Sequence, residues 1–103
     1  MSFQQLETFV AVVEEGSVRR AAVRTHIAQP ALTRQIQALE EELGVRLFRR
    51  TSRGMRLLVP GERLLPRARR MLAERDAARD EVRAPVADPS GSKPGRERPS
   101  PPR

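Results

Sequence analysis

The stretch that most constrains this 103-residue chain is residues 16–43, which reads as a short helix, a tight turn and a longer helix. When residues 28–43 are placed on a helix of 3.6 residues per turn, one stripe is apolar and the opposite side is polar. The apolar stripe consists of Leu32, Ile36, Leu39 and Leu43. The opposite side carries Pro30, Thr33, Arg34 and Gln37. We therefore expect one face to enter a core and the other to meet a partner.

The polar face of this longer helix suits nucleic acid, because a hydroxyl, a guanidinium and an amide bond phosphate oxygens and base edges. Pro30 fits a first helical turn, where its missing N–H costs nothing. Three Glu side chains at residues 40–42 occupy the far end, where DNA phosphates would repel them. If the helix enters a groove, it does so by its N-terminal half. An ordinary helical hairpin with solvated Arg34 and Gln37 is the alternative.

The charge of the chain favours a polyanionic partner. Lys and Arg number 20 against 13 Asp and Glu, which gives a net charge of +7. Such a balance points to nucleic acid before membrane, although an Arg-rich genome would give the same composition. The absence of Cys excludes disulfides and thiolate metal sites, and no membrane span or signal peptide is predicted. We expect a cytoplasmic, nucleoid-associated protein with no cofactor and no membrane partner.

Helical signals also precede this stretch. Residues 2–15 predict a first helix with a capping box formed by Ser2 and Gln5. Its apolar stripe contains Phe3, Leu6, Phe9, Val10 and Val13, and we expect this stripe to lie in the core. Residues 17–24 predict the second helix and residues 29–43 the third, with Gly44 as its stop signal.

After Gly44 the apolar pattern changes to that of strands. Residues 45–50 and 55–59 predict two short strands joined by a polar turn, which makes a hairpin beside the helices. Between residues 46 and 70 there are nine Arg and one acidic residue. A hairpin tip with Arg53 beside this basic flank favours contact with a phosphate backbone or a minor groove. A solvated basic surface is the alternative.

Residues 62–83 predict a long helix after a break at Pro60 and Gly61. It would span roughly 33 Å, with little to pack against inside one small domain. We expect it to pair with a second copy, and the alternative is that it folds back on its own domain. The predicted dimerisation residues are Leu64, Leu65, Ala68, Met71, Leu72, Ala78 and Val82. Residues 84–103 hold six of the nine Pro and predict a disordered basic tail.

These motifs resemble the N-terminal part of LysR-type transcriptional regulators. The resemblance rests on LETFVAVVEEGSVRRAA, IAQPALTRQIQALEEELGVRLFRR, the wing Arg53-Gly54, and GERLL. It implies a mainly α winged helix-turn-helix with three helices and a short β-hairpin wing, then a long linker helix and a disordered tail. The implied domains are residues 1–60 for DNA binding (helix-turn-helix about 17–43, wing 45–59), 61–83 for the linker helix and 84–103 for the tail.

The resemblance further implies sequence-specific binding of double-stranded DNA, at pseudo-palindromic sites of the T-N11-A type, by a dimer or tetramer. It puts the start of the third helix at the major groove, the wing at the minor groove or its phosphates, and the linker helix against a second subunit. The predicted DNA-binding residues are Gln29, Pro30, Thr33, Arg34, Gln37, Arg50, Thr51 and Arg53.

Three residues depart from the family pattern: Val18 replaces the usual Phe, Thr25 the usual Leu, and Leu58 the Thr that caps the linker helix. The family's effector-binding domain, a pair of α/β lobes, is not in the sequence, so we expect no small-molecule effector site. The alternatives are a truncated protein that forms mixed dimers with full-length relatives, a non-specific binder, or a non-functional fragment. An enzyme is rejected, because His26 is the one neutral-pH base and no nucleophile or metal-ligand spacing accompanies it.

Overall fold

A computed structural model describes residues 1–87 as four helices and one two-stranded antiparallel sheet. The elements in chain order are α1 (Phe3–Glu15), α2 (Val18–Thr25), α3 (Gln29–Leu43), β1 (Phe48–Thr51), β2 (Gly54–Leu57) and α4 (Val59–Arg83). The predicted mainly α fold with a hairpin wing and a long following helix is therefore confirmed. Residues 84–87 have no regular structure, and the rest of the predicted tail lies outside the described residues.

Helix α1 is the centre of the core and contacts each of the other three helices. Its capping box forms as predicted: the Ser2 hydroxyl accepts from the Gln5 N–H at 3.0 Å, and the Gln5 side chain accepts from the Ser2 N–H at 2.9 Å. Phe9 is fully buried, and its ring centroid lies 5.4 Å from that of Phe48. Phe3, predicted as a core residue, is instead 48 % exposed. It begins the helix, beyond the buried stripe.

Helix α2 is held by local hydrogen bonds at both ends. The Ser17 hydroxyl accepts from the Arg20 N–H at 3.2 Å, as an N-cap does. At the other end the Thr25 hydroxyl donates to the Ala21 carbonyl at 2.8 Å, so the departure from Leu leaves no unpaired hydroxyl. His26 then turns the chain with a left-handed φ of 59°, a conformation that the sequence did not predict.

Helix α3 has the two faces that its sequence predicts. Leu32, Ile36 and Leu39 are buried, and Pro30 lies in the first turn. Leu43, predicted to complete the buried stripe, is 37 % exposed because it is the last residue of the helix. Gly44 ends the helix with a left-handed φ of 73°, as predicted.

The strands and α4 have different bounds from those predicted. Each strand has four residues, and β1 begins at Phe48 instead of residue 45. The backbone N–H groups of Leu47 and Phe48 bond a side chain of α3 instead of a neighbouring strand. Helix α4 begins at Val59 instead of residue 62. Pro60 does not break the chain here, since a first helical turn needs no N–H from it. Leu58 occupies the N-cap position without a side-chain bond, and its N–H donates to the Leu47 carbonyl at 2.8 Å.

The first half of α4 packs against its own domain. Ala68 is completely buried, so the prediction that it contacts a second copy is wrong. Four other predicted dimerisation residues are partly buried against the core: Leu64, Leu65, Met71 and Leu72. Residues 77–83, by contrast, are exposed throughout. The alternative of folding back therefore describes the first half of this helix and not its end.

The hairpin approaches the junction of α1 and α2 so closely that one position requires glycine. Gly54 has a φ of +124°, and a Cβ added there would lie 2.5 Å from the Gly16 carbonyl oxygen. The next residue, Met55, donates its N–H to that same oxygen at 3.3 Å. The contact therefore fixes the wing to the helices through backbone atoms.

We expect Gly54→Ala to lower the free energy of unfolding by about 3 kcal/mol or more, because a forbidden φ and a backbone clash act together. Gly44→Ala is the matched control. Gly44 also has a left-handed φ, but its added Cβ would meet nothing within 4 Å, so the cost is about 1–2 kcal/mol. Urea unfolding of both variants measures the difference. Equal costs would contradict the importance of the close contact.

Candidate nucleic-acid interface

An open groove of about 700 Å³ lies between α3 and the wing. Thr33 and Gln37 line it from the helix, and Arg50 lines it from β1. The buried side chains of Ile36 and Phe48 form part of its wall. Polar side chains therefore border a concave surface with an apolar base.

The α3 residues predicted to bind DNA lie on the solvent side of that helix. Gln29, Pro30, Arg34 and Gln37 are exposed, and Thr33 is partly buried. Between Gln29 and Gln37 the solvent side of α3 thus presents two amides, one guanidinium and one hydroxyl, while the opposite face is packed in the core. This is the arrangement that the helical pattern predicts.

Thr51 shapes the wing from within. Its hydroxyl accepts from the Arg53 N–H at 3.2 Å and donates to the Gly54 carbonyl at 3.1 Å. These bonds hold the turn that exposes Arg53. A contact between Thr51 and DNA stays a prediction.

Glu40 joins α3 to the wing, and sequence reasoning missed this role. Its carboxylate accepts from the N–H groups of Leu47 at 2.7 Å and Phe48 at 3.2 Å, and Arg46 lies 3.5 Å away. The Glu40 side chain is only 11 % exposed. The available signal was an acidic residue in the last turn of a helix that ends at Gly44. The helix dipole disfavours that position, so a tertiary partner is indicated.

Ion pairs connect α1 to α2 and to α4, away from the groove. Glu14 on α1 accepts from Arg24 of α2 at 2.8 Å and from Arg69 of α4 at 2.9 Å. Hydrogen bonds from these two guanidinium groups, first from Arg24 and then from Arg69, hold the pKa of Glu14 below its ordinary value. Arg75 of α4 pairs with Glu7 of α1 at 3.0 Å. The acidic side chains of α1 thus neutralise the arginines that face them.

Five arginines of α3 and the wing, unlike those that face α1, have no acidic partner among the described residues. Within residues 1–87, no carboxylate oxygen lies within 4.0 Å of the guanidinium nitrogens of Arg34, Arg49, Arg50, Arg53 and Arg56. All five side chains are exposed. These five uncompensated positive charges therefore lie on α3 and the wing, the elements that border the groove.

Two other kinds of site find no support in the part of the chain that the structure describes. There, no three His, Cys, Asp or Glu side chains are grouped so as to hold a metal ion. None of the four helices combines the length and the apolar character needed to cross a membrane.

Helices α2 and α3 with their tight turn, and the hairpin beside them, define a winged helix-turn-helix protein. The sequence profile described as "Bacterial regulatory helix-turn-helix protein, lysR family" matches residues 3–62. The chain therefore belongs to the LysR family, and the resemblance stated from the sequence is confirmed.

The relatives are transcriptional regulators. The chain is 52 % identical over 84 residues to the HTH-type transcriptional regulator ClcR of Pseudomonas putida. The matched segment covers 82 % of this chain and 29 % of ClcR. It is 49 % identical to TfdT of Cupriavidus pinatubonensis over 86 residues, covering 82 % of this chain and 38 % of TfdT. The chain thus spans about a third of these relatives. Their class agrees with the prediction that the chain is not an enzyme.

Solved structures match the same part of the chain. CbnR, a LysR family transcriptional regulator, is similar with a TM-score of 0.79 and 46 % identity, over 82 % of this chain and 29 % of CbnR. CbnR_DBD in a complex with DNA gives 0.78 at 46 % identity, over 82 % of this chain and 97 % of that one. BenM_DBD in a complex with benA site 1 DNA is similar with a TM-score of 0.76 and 43 % identity, over 80 % of this chain and 92 % of that one.

We expect Glu40→Ala to lower the free energy of unfolding by about 2 kcal/mol or more, because it leaves two buried N–H groups without an acceptor. Glu41→Ala is the control, since Glu41 is exposed and has no ion pair among the described residues. It should change stability by less than about 0.5 kcal/mol. Chemical denaturation measures both variants, and an equal loss in the two would exclude the proposed attachment of the wing.

Proposed function

We propose that this chain binds double-stranded DNA sequence-specifically, as a transcriptional regulator of the LysR type. The observation that carries the proposal is the division of charge. Five unpaired arginines lie on the exposed surface of α3 and the wing, while Arg24, Arg69 and Arg75 are paired with carboxylates of α1. The similarity to CbnR_DBD and BenM_DBD, whose structures are DNA complexes, supports it.

The N-terminal half of α3 would enter a major groove. Arg34 has the planar fork that bonds guanine O6 and N7, and Gln29 and Gln37 have the amides that bond adenine N6 and N7. Pro30 offers an apolar surface to a thymine methyl group. Thr33 is partly buried and better placed for a phosphate oxygen than for a base.

The wing would contact the DNA beside this groove. Arg53 at the exposed tip suits a minor groove, whose negative potential attracts guanidinium groups. Arg50 lines the groove next to α3 and suits a phosphate between the two contacts. The Thr51 hydroxyl contributes by holding the turn, as its two internal bonds indicate.

Helix α4 would join two copies of the chain. Leu64, Met71, Ala78 and Val82 fall within about 40° of one another around the helix, which makes one stripe. Leu65 and Leu72 lie on the other side of the buried Ala68, nearer the core. At about 37 Å, α4 extends beyond the domain and ends in two fully exposed turns. A symmetric dimer built on it would present two copies of α3 to the half-sites of a pseudo-palindrome.

Arg34→Ala should weaken binding to a T-N11-A-type palindrome by roughly 1–3 kcal/mol, or about 5- to 150-fold, because base contacts are lost. Binding to a scrambled duplex should fall much less. Arg79→Ala, an exposed arginine near the end of α4, is the charge-matched control. Fluorescence anisotropy on both duplexes gives the affinities. A palindrome affinity that does not respond to Arg34→Ala would remove α3 from the recognition role.

For the dimer, Ala78→Glu should shift the sedimentation equilibrium towards monomer, because it brings like charges together across a paired stripe. Ala73→Glu is the matched control, since Ala73 is exposed on the opposite face of the same helix. Circular dichroism should show the same helix content for both. If Ala78→Glu sediments like the unaltered chain, this stripe is not the interface.

A further inference from the structure

Two arginines face each other on the outer side of the wing. Arg49 of β1 is paired directly with Arg56 of β2, and both side chains are exposed. The neighbouring pair, Phe48 with Leu57, turns towards the core. Because side chains alternate along a strand, the arginine pair points away from the core.

This arrangement is unfavourable for the hairpin by itself. Side chains directly opposite on antiparallel strands have Cβ atoms about 5 Å apart, and like charges there are destabilising. No carboxylate among residues 1–87 lies within ion-pair distance of either guanidinium. The repulsion is therefore not balanced within the described structure.

The hairpin is also fixed so that the two side chains stay together. The Glu40 carboxylate holds the start of β1, and the Met55 N–H donates to the Gly16 carbonyl. Beyond β2, the Leu58 N–H donates to the Leu47 carbonyl at 2.8 Å. Two exposed guanidinium groups on a backbone fixed in this way are a site for an anion with more than one oxygen acceptor.

We propose that Arg49 and Arg56 form a phosphate-binding pair that holds the DNA backbone outside the segment read by α3. This inference rests on the proposed DNA binding and adds a contact surface to it. The pair is separate from Arg53 at the tip and from Arg50, which lines the groove on the inner side. Successive phosphates of one strand are separated by about 3.4 Å along the axis of the duplex, so two long side chains can contact successive groups. Such contacts add affinity and orientation, but no sequence information.

The test is the salt dependence of binding by the full chain carrying Arg49→Gln and Arg56→Gln. The matched control carries Arg79→Gln and Arg83→Gln, which remove the same net charge from exposed positions at the end of α4. Affinity for a palindromic and a scrambled duplex is measured over a series of salt concentrations. Thermal unfolding of both variants without DNA is measured in parallel.

We expect the wing variant to reduce the slope of log affinity against log salt by about 1.8 per protomer, which is two phosphate contacts. The ratio of palindrome to scrambled affinity should stay unchanged, and the midpoint of thermal unfolding should stay equal or rise. The control should change the slope by much less. A slope change equal to that of the control overturns the inference. A lower unfolding midpoint with a lost affinity ratio also overturns it, because the pair would then support the wing.

The two proposals fail in different ways. If the unaltered chain binds palindrome and scrambled duplex equally, sequence-specific recognition by α3 is wrong. The slope comparison on the scrambled duplex still decides whether Arg49 and Arg56 contact phosphates.

Discussion

The hydrogen bonds of the Glu40 carboxylate determine how the wing stands against α3. They satisfy the backbone N–H groups of Leu47 and Phe48, which are buried and have no strand partner at this point. The same carboxylate therefore connects the last turn of α3 to the start of β1. Because this one carboxylate binds two backbone N–H groups of the wing, we expect the groove between helix and wing to exist before any partner binds, so that little ordering is needed on binding.

Local signals made most of this fold predictable. The capping box of α1, Pro30 in the first turn of α3 and the stop at Gly44 each act within a few residues, so the sequence suffices to read them. Glu40 was missed because its partners lie seven and eight residues away, in a segment without a regular pattern. Phe3 was assigned to the core because an apolar residue at the end of a stripe looks the same whether or not the core extends to it.

Helix α4 shows why an apolar stripe does not identify its partner. Ala68 and Val82 were assigned to one interface by their spacing, yet one is completely buried in its own domain and the other is 84 % exposed. What separates them is the position of α1, whose ion pairs with α4 extend as far as Arg75 and not to the exposed residues 77–83. Ion pairs reinforce that contact, since Glu14 holds Arg69 and Glu7 holds Arg75. Arg75, which interrupts the stripe in the sequence, thus helps to attach the helix.

The composition gives a net charge of +7 but does not show which positive side chains are paired. The ion pairs of α1 show this for the arginines that face it. Acidic side chains of α1 pair with Arg24, Arg69 and Arg75, whereas five arginines of α3 and the wing have no carboxylate partner among residues 1–87. An acidic residue opposite Arg49 would stabilise the hairpin, because oppositely charged cross-strand pairs attract each other. Arg56 stands there instead, on a strand whose position is fixed by the Gly54 contact. The wing therefore contains an internal repulsion that a bound anion would relieve, which links the Arg49–Arg56 pair to the proposed function.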